Sequence, residues 1–291
     1  MSNIHIVTDS CARFVNAQVM QQYPVTIVPN KITIDGKSYR EGIDISAEDA
    51  LHLIANRPAE LTVTSPTVAE YTEVYNRLSR SHDAIISIHA SRELYPSWQN
   101  ARNAVQQLAG HCEIAVVDSR TICAAQAMLV RVASKAIQKQ EPLDNIVRTV
   151  RGAIDRLYSV YYVETLDYLY KNKIMTASHA ILGTYLNIRP FLVVEEGHLV
   201  VVEKVRTRTQ AVDQLVEFIM EFTDIEDIAI LQQKAHLTEQ TRLLQDRLML
   251  EYPGQYFPYM PYNPSLAALI GADATGIVVL ECELDDLDNG Y

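Results

Sequence analysis

The sequence contains little glycine and few cysteines. Its 10 glycines among 291 residues form neither GxxxxGK nor GxGxxG, and the patterns GxSxG and HExxH are also absent. These absences argue against the common nucleotide-dependent enzymes and metalloenzymes, and they predict neither a metal nor a cofactor. No CxxC or metal-ligand spacing joins the cysteines, which favours free thiols in a reducing compartment. They are Cys11, Cys112, Cys123 and Cys282.

Positive charge is also scarce. Lys and Arg number 25 against 36 Asp and Glu, so the formal net charge is −11. Phosphate backbones and anionic lipid surfaces repel such a chain, which argues against nucleic-acid binding. No apolar run approaches the length of about 20 residues that spans a bilayer, and residues 1–5 lack signal-peptide features. We therefore expect a cytoplasmic protein without integral membrane association.

The first half of the chain alternates between short apolar runs and helical segments. The runs cover residues 4–7, 61–63, 84–88 and 114–117, and small polar residues follow each of them. Such β-branched, near-continuous runs are typical of strands that are covered on both faces. Helices are predicted for residues 46–56, 67–80, 98–108 and 123–138, and a hairpin-like insert for residues 26–34. This alternation predicts an α/β fold with a parallel sheet.

The second half has a different pattern. Residues 191–194 and 199–202 are apolar and flank a turn with Gly197, which predicts a β-hairpin. Further strands are predicted at 228–231 and 276–280, and helices at 143–156, 165–171, 209–222 and 239–250. We expect an N-terminal parallel α/β domain over residues 1–160 and a C-terminal α/β domain with a mixed sheet over residues 161–291. Residues 281–291 have five acids and no base, which predicts a solvated acidic tail.

Small polar side chains follow the four predicted parallel strands. Because open α/β sheets bind ligands at the carboxyl edge, these residues are expected to line one cleft. They are Asp9, Ser10, Thr64, Ser65, His89, Ser91, Asp118 and Ser119. Most offer hydroxyls, which suit ligand binding better than acid–base catalysis, and several equally suit helix N-caps or, for His89, a structural role. A serine hydrolase is a further alternative, in which Ser65 or Ser91 approaches His89 within about 3 Å.

Motifs along nearly the whole chain resemble those of the DegV family. They are the strand that ends in Asp9-Ser10, the turn Thr64-Ser65-Pro66-Thr67, Asp118-Ser119, residues 181–190 (ILGTYLNIRP) and residues 204–208 (KVRTR). The resemblance implies an N-terminal parallel α/β domain and a C-terminal α/β domain with a mixed sheet. It also implies a non-enzymatic protein that binds one long-chain fatty acid between the domains. Some members of the family present that fatty acid to a separate fatty acid kinase, which is therefore a candidate partner.

The resemblance also assigns ligand-binding positions in the first half. Thr64 and Ser65 match the family's Thr-Ser-x-Pro-Ser motif, which is one residue shorter in this chain. Residues 94–97 read Leu-Tyr-Pro-Ser where the family has Leu-Ser-Gly-Thr. Tyr95 therefore takes the position of a ligand-binding serine, and Ser97 is a further candidate.

Two positions of the second half complete the expected head-group site. Arg206 matches an arginine near the family's head-group network, and Asp273 is assigned to the position of a histidine. A buried carboxylate needs several hydrogen-bond donors or a positive partner, which hydroxyls and Arg206 could supply. Because Tyr95, Pro96 and Asp273 depart from the family pattern, a related lipid without a carboxylate is an alternative ligand.

Overall fold

Three β-sheets organise the chain within residues 3–15, 25–55, 61–108, 110 and 112–283, which the computed structural model describes. One sheet is parallel, one is small and antiparallel, and one is mixed. None of the helices in these ranges is long and apolar enough to cross a membrane. The predicted acidic tail lies outside the described residues beyond Glu283.

The first half of the chain contains seven strands and five helices in the described ranges. The strands are β1 (Ile4–Asp9), β2 (Val25–Val28), β3 (Lys31–Ile34), β4 (Lys37–Arg40), β5 (Leu61–Thr64), β6 (Ala84–His89) and β7 (Glu113–Asp118). The helices are α1 (Ala47–Ala55), α2 (Val68–Leu78), α3 (Ser97–Gln106), α4 (Ala124–Gln138) and α5 (Leu143–Ile154).

The parallel sheet has the strand order β2-β1-β6-β7, and each neighbouring pair is parallel. Every residue of β1 and β6 is buried, because α2 and α3 cover one face and α4 and α5 cover the other. Tyr71 and Tyr75 of α2 pack on Val7 and Ile85 on the first of these faces. The parallel α/β architecture predicted from the apolar runs is therefore confirmed.

One strand prediction was wrong. Residues 61–63 do form a strand, β5, but it pairs antiparallel with β3 in the small sheet of order β4-β3-β5. Its burial alternates between half-buried Leu61 and Val63 and exposed Thr62 and Thr64. Such alternation leaves one face in solvent, which suits an antiparallel strand and not the doubly covered parallel sheet.

The fourth parallel strand is instead β2, from the segment predicted to be a hairpin-like insert. The hairpin begins later, where β3 turns into β4 at Asp35 and Gly36. Both residues have positive φ, 49° and 78°, as a two-residue type I′ hairpin turn requires.

The second half of the chain forms the mixed sheet and its helices. The strands are β8 (Leu157–Val163), β9 (Arg189–Glu195), β10 (His198–Val205), β11 (Ile225–Gln232), β12 (Tyr259–Pro261) and β13 (Ala274–Glu281). The helices are α6 (Asp167–Lys171), α7 (Ala177–Tyr185), α8 (Arg208–Met220), α9 (Glu239–Glu251) and α10 (Pro264–Ile270). The strand order is β10-β9-β8-β13-β11-β12, in which only the β11–β12 pair is parallel.

Helix α4 connects the two large sheets. It packs against β1 and β6 on one side and against β8, β11 and β13 on the other. One cluster of buried side chains therefore runs through both halves, from Ile6 and Ile86 to Leu231 and Val278. The division near residue 160 falls inside β8, and it stays a prediction.

Candidate ligand site

Asp9 ends β1 and is fully buried against His89, which ends the neighbouring strand β6. Asp9 Oδ2 lies 2.9 Å from His89 Nδ1, and Asp9 Oδ1 accepts hydrogen bonds from Cys11 N and Gln126 Nε2 at 3.0 and 3.2 Å. Burial by itself raises the pKa of Asp9, but the hydrogen bond and charge of His89, together with Gln126 and a backbone amide, bring it below its usual value. Asp9 therefore holds the strand ends together and is shielded from solvent.

The second ring nitrogen of His89 is also occupied. His89 Nε2 lies 2.7 Å from Ser87 Oγ, which lies 2.7 Å from the hydroxyl of Tyr75. Ser91 Oγ instead donates to the carbonyl oxygen of Gly197, 2.8 Å away in the turn between β9 and β10. Neither Ser91 nor Ser65 has the hydrogen bond to His89 that the hydrolase alternative requires. Both ring nitrogens of His89 thus have hydrogen-bond partners within the protein.

A second buried acid, Glu41, lies just beyond β4 and gathers donors from three segments. Its Oε2 accepts from Ser10 Oγ at 2.6 Å, from Asn30 Nδ2 at 3.0 Å and from Ser265 Oγ at 2.6 Å, and Oε1 accepts from Ser265 N at 2.9 Å. Burial raises the pKa of Glu41 even though these neutral donors lower it. Ser265 belongs to α10, so this cluster joins the two halves of the chain.

Tyr95 extends this cluster. Its buried side chain lies between β6 and α3, and its hydroxyl donates to the carbonyl oxygen of Ser265 at 2.7 Å. Burial raises the pKa of Tyr95, and electrostatic interactions with the acidic groups Cys11, Glu41 and Asp9 raise it further. The Tyr95 ring thus packs between the two halves of the chain, and its hydroxyl hydrogen is already used in a hydrogen bond to the protein.

Ser65 lies in the turn between β5 and α2, one position beyond Thr64, which pairs with Lys31 in the small sheet. Its side chain is 6% exposed, and Ser65 Oγ has no hydrogen-bond partner among the described residues. Asn100 Nδ2 of α3 donates to Pro66 O at 2.8 Å, which fixes the turn near buried Ser97 at the start of α3. Thr64 is exposed. Ser65 and Ser97 therefore both have buried hydroxyls with unused hydrogen-bonding capacity among the described residues.

Thr67, and not Ser65, is the N-cap of helix α2. Thr67 Oγ1 accepts from Glu70 N, and the Glu70 side chain accepts from Thr67 N at 2.7 Å. This capping box begins α2 without Ser65.

Three of the predicted site residues lie outside this group. Asp118 accepts a hydrogen bond from Arg120 N at 3.0 Å in the loop after β7. Arg206 is exposed, and within the described ranges only its backbone N–H forms a hydrogen bond, to Gln210. Ser10 and Tyr95 are linked through Glu41 and Ser265, and Tyr95 N also donates to Ser91 O at 2.9 Å, whereas Asp118, Arg206 and Asp273 form their contacts elsewhere.

Asp273 has its own surroundings after α10. Its Oδ2 accepts from Thr165 Oγ1, whereas Oδ1 is buried without a partner among the described residues. Burial raises the pKa of Asp273, which Glu164 raises further. Thr165, not Arg206, is therefore the partner of Asp273. Asp273 lines a polar cavity of about 320 Å³ together with Glu164 and Arg208.

The second half also contains an apolar cavity of about 500 Å³. Side chains of α7 and of the β9–β10 hairpin form much of its wall, and His179 and Lys204 contribute its polar groups. The apolar wall includes Leu166, Ile174, Met175, Leu182, Ile188 and Val201. Another cavity, of about 460 Å³, lies next to Ser10 and Glu41.

Sequence reasoning missed Asn30, Glu41 and Ser265. One local signal was available for Ser265, because Asn263 followed by Pro264 is a typical N-cap and first position of a helix. Asn263 does cap α10, and its Nδ2 also donates to Ser10 O and Cys11 O at 2.9 and 2.7 Å. No local pattern could have paired residue 41 with residue 265.

Comparison with known proteins identifies the family. The model of an uncharacterised protein family, the DegV family, matches residues 3–281. The chain belongs to the DegV family. A DegV domain-containing protein of Caldanaerobacter subterraneus is 32% identical over 218 residues, which are 75% of this chain and 77% of that protein. The resemblance inferred from the motifs is confirmed.

Solved structures show that the fold is also shared. The fatty acid binding DegV family protein of Streptococcus agalactiae superposes with a TM-score of 0.86 at 24% identity, over 97% of this chain and 100% of that chain. DegV of Bacillus subtilis, described as a fatty acid binding protein, superposes with a TM-score of 0.83 at 22% identity, over 97% and 100% of the two chains. The parallel and mixed sheets of this DegV-family chain therefore have the arrangement known from its structural relatives.

Proposed function

We propose that this DegV-family chain binds one long-chain fatty acid and has no enzymatic activity of its own. Fatty acid binding is the property for which the structural relatives from Streptococcus agalactiae and Bacillus subtilis are described. The observation that carries the proposal is the hydroxyl of Ser65, which is buried without a partner in the described residues and lies in the motif that the family uses for its ligand. A ligand head group that bonds to Ser65 Oγ removes the cost of leaving it unsatisfied.

The apolar cavity in the second half suits the acyl chain. Its volume of about 500 Å³ lies within the range of about 300–1,000 Å³ that is usual for ligand pockets. Burial of each CH₂ group stabilises a complex by about 0.8 kcal/mol, so a chain of about sixteen carbons contributes roughly 10 kcal/mol before the entropic costs of binding.

The proposed head-group site consists of Ser65, Tyr95 and Ser97, with exposed Thr64 at its edge. Arg206 is assigned a different role, because its exposed side chain is available to another protein. We propose that it contacts a separate fatty acid kinase to which the chain presents its ligand. The cytoplasm is the proposed location, in agreement with four free cysteines.

Lipid analysis of the purified protein tests the proposal. Organic extraction followed by mass spectrometry is expected to recover about one fatty acid per chain, and delipidated protein is expected to take up added palmitate. Ser65→Ala should weaken this uptake, whereas Thr62→Ala, at an exposed position of β5 outside the site, should leave it unchanged. If the extract contains no stoichiometric lipid and the protein takes up none, the proposal is rejected.

A further inference from the structure

Two buried polar atoms at neighbouring cross-strand positions of the small antiparallel sheet have no hydrogen-bond partners in the described residues. They are Ser65 Oγ and Asn30 Oδ1, on residues that are 6% and 0% exposed. The β3–β5 register pairs Lys31 with Thr64. Asn30 and Ser65 are therefore opposite each other one position beyond that pair, and cross-strand pairs of this kind lie on the same side of the sheet.

The Asn30 amide has a defined orientation. Its Nδ2 donates to Glu41 Oε2 at 3.0 Å and to Ser265 Oγ at 2.9 Å, and it lies 3.1 Å from Cys11 Sγ. Ser265 Oγ donates its only hydrogen to Glu41 and can therefore only accept from Asn30, so the amide nitrogen faces Ser265 and Glu41 and the amide oxygen points away from them. Asn30 consequently offers a hydrogen-bond acceptor next to the Ser65 hydroxyl, which both donates and accepts.

The ionisable groups around this pair are mostly acidic. Those that face the cluster are the acidic groups Glu41, Asp9, Cys11 and Tyr95. His89 is paired with Asp9, and Arg13, which lines the cavity beside Glu41, donates its Nε–H to Pro261 O at 3.1 Å.

The helices α1 and α10, which pack on this region, add no buried charged group. Helix α10 contains no charged residue. On α1, Glu48, Asp49 and His52 are exposed, as are Lys31 and Arg40 of the small sheet. A ligand carboxylate would therefore meet like charge from Glu41 whenever Glu41 is ionised.

We infer that Asn30 Oδ1 and Ser65 Oγ hold an uncharged head group that donates a hydrogen bond. This inference rests on the function proposed above. The O–H of a protonated fatty acid, a fatty alcohol or a monoacylglycerol donates to Asn30 Oδ1, and its oxygen accepts from Ser65 Oγ. A carboxylate has no hydrogen to donate, so it leaves Asn30 Oδ1 unsatisfied. The chain thus takes a fatty acid in its protonated form and binds the alcohol of equal length at least as well.

The ionisation state of the bound ligand tests this directly. The full chain is delipidated and loaded with palmitate labelled with ¹³C at its carboxyl carbon, and the carboxyl resonance is followed from about pH 5.5 to about pH 8.5. We expect the shift of the protonated acid throughout that range. By linkage, the affinity for palmitate should fall about tenfold for each pH unit above the solution pKa of palmitate, whereas the affinity for 1-hexadecanol stays constant.

Variants separate the head-group contact from general binding. Ser65→Ala should weaken both ligands about tenfold and move the carboxyl resonance, because one hydrogen bond is lost. Thr62→Ala, at an exposed position of β5 outside the proposed site, is the matched control and should change neither measurement. A bound carboxylate with a pH-independent affinity above that of hexadecanol overturns the inference and leaves the proposed function intact. If neither palmitate nor hexadecanol binds, both are rejected.

Discussion

The hydroxyl of Tyr95 donates a hydrogen bond to the backbone carbonyl oxygen of Ser265, 2.7 Å away, and so joins the loop before α3 to α10. Ser265 in turn donates to Glu41 through both its side chain and its backbone N–H. A tyrosine at a position where the family resemblance predicts a ligand-binding serine thus connects the two halves of the chain. The Tyr95 hydroxyl hydrogen bonds within the protein, so we assign the hydrogen bonds to a ligand head group to Ser65 and Asn30.

Tyr95→Phe is expected to destabilise the protein. The substitution removes the donor and leaves the buried Ser265 carbonyl oxygen without this partner, at a cost of about 1–3 kcal/mol in the free energy of unfolding. Urea denaturation followed by circular dichroism measures the difference. Tyr170→Phe is the control, because Tyr170 is 51% exposed, and it should change the free energy by less than about 0.5 kcal/mol. Equal effects of the two substitutions would contradict the role assigned to the Tyr95 hydroxyl.

Asp9→Asn is expected to cost stability near neutral pH but not in acid. The pKa of Asp9 is lowered in the folded protein. Its stabilising contribution is therefore present above the unfolded-state pKa of about 3.9 and is lost as the pH falls through the folded-state value. Removal of one partner of a buried pair costs about 3 kcal/mol, so the variant should be less stable than the wild type by roughly that amount at pH 7.

The pH dependence distinguishes this effect from a packing defect. The difference between wild type and Asp9→Asn in urea denaturation should shrink as the pH falls below about 4. Asp246→Asn, at an exposed position of α9, should show no such difference at either pH. A gap between wild type and Asp9→Asn that is the same at pH 7 and in acid would mean that the carboxylate charge is not the stabilising feature.

Much of the fold could be predicted because burial leaves a local mark on the sequence. The runs at residues 4–7 and 84–88 are apolar on both faces, and both are central strands that helices cover on both sides. The run at 61–63 carries the opposite mark, with Thr62 and Thr64 alternating with apolar residues. Such alternation indicates a strand with one face in solvent. The prediction did not use it and therefore placed β5 in the parallel sheet instead of the small antiparallel sheet.

The site could be predicted only in part, because its contacts join residues that are far apart in the chain. Asn30 and Ser265 are separated by 235 positions, and Glu41 and Ser265 by 224. Ser65 and Tyr95 were found through family motifs, and no local pattern marks Asn30 or Glu41 as their neighbours. Which polar groups find partners depends on how α10 packs onto the first half, and Ser65 Oγ is one of the buried atoms without a partner in the described residues.

Arg206→Ala is expected to separate ligand binding from transfer to a partner. The Arg206 side chain is exposed and forms no hydrogen bond or ion pair with the described residues, so palmitate affinity should change by less than about twofold. Phosphorylation of the bound fatty acid by a fatty acid kinase should fall by about tenfold or more if the guanidinium contacts that enzyme. Arg242→Ala, at an exposed position of α9, is the control for loss of surface charge. Loss of palmitate from the Arg206 variant would instead place the guanidinium at the head group.

Gly183→Ala is expected to shorten the longest acyl chain that the protein accepts. Gly183 lies in α7, and a Cβ atom at this position would be 2.6 Å from Leu166 Cδ1. Both residues line the apolar cavity of about 500 Å³. The Leu166 methyl group is the end of a flexible side chain and can move aside. Because Leu166 lines the cavity, this movement should reduce the cavity volume. The optimum should therefore shift by about one or two methylene groups, each of which contributes about 0.8 kcal/mol when it is buried.

A competition series of saturated fatty acids from about twelve to about twenty carbons measures this shift. Gly152→Ala is the matched control, because no atom lies within 4 Å of a Cβ built at that position of α5. Alanine is favoured over glycine in a helix by up to about 1 kcal/mol, so the control should fold at least as well as the wild type and keep its chain-length preference. If Gly183→Ala binds less of every fatty acid without a change in the optimum, the substitution acts on the stability of α7 and not on the cavity. If its chain-length profile equals that of the wild type in both position and affinity, the acyl chain does not occupy this cavity.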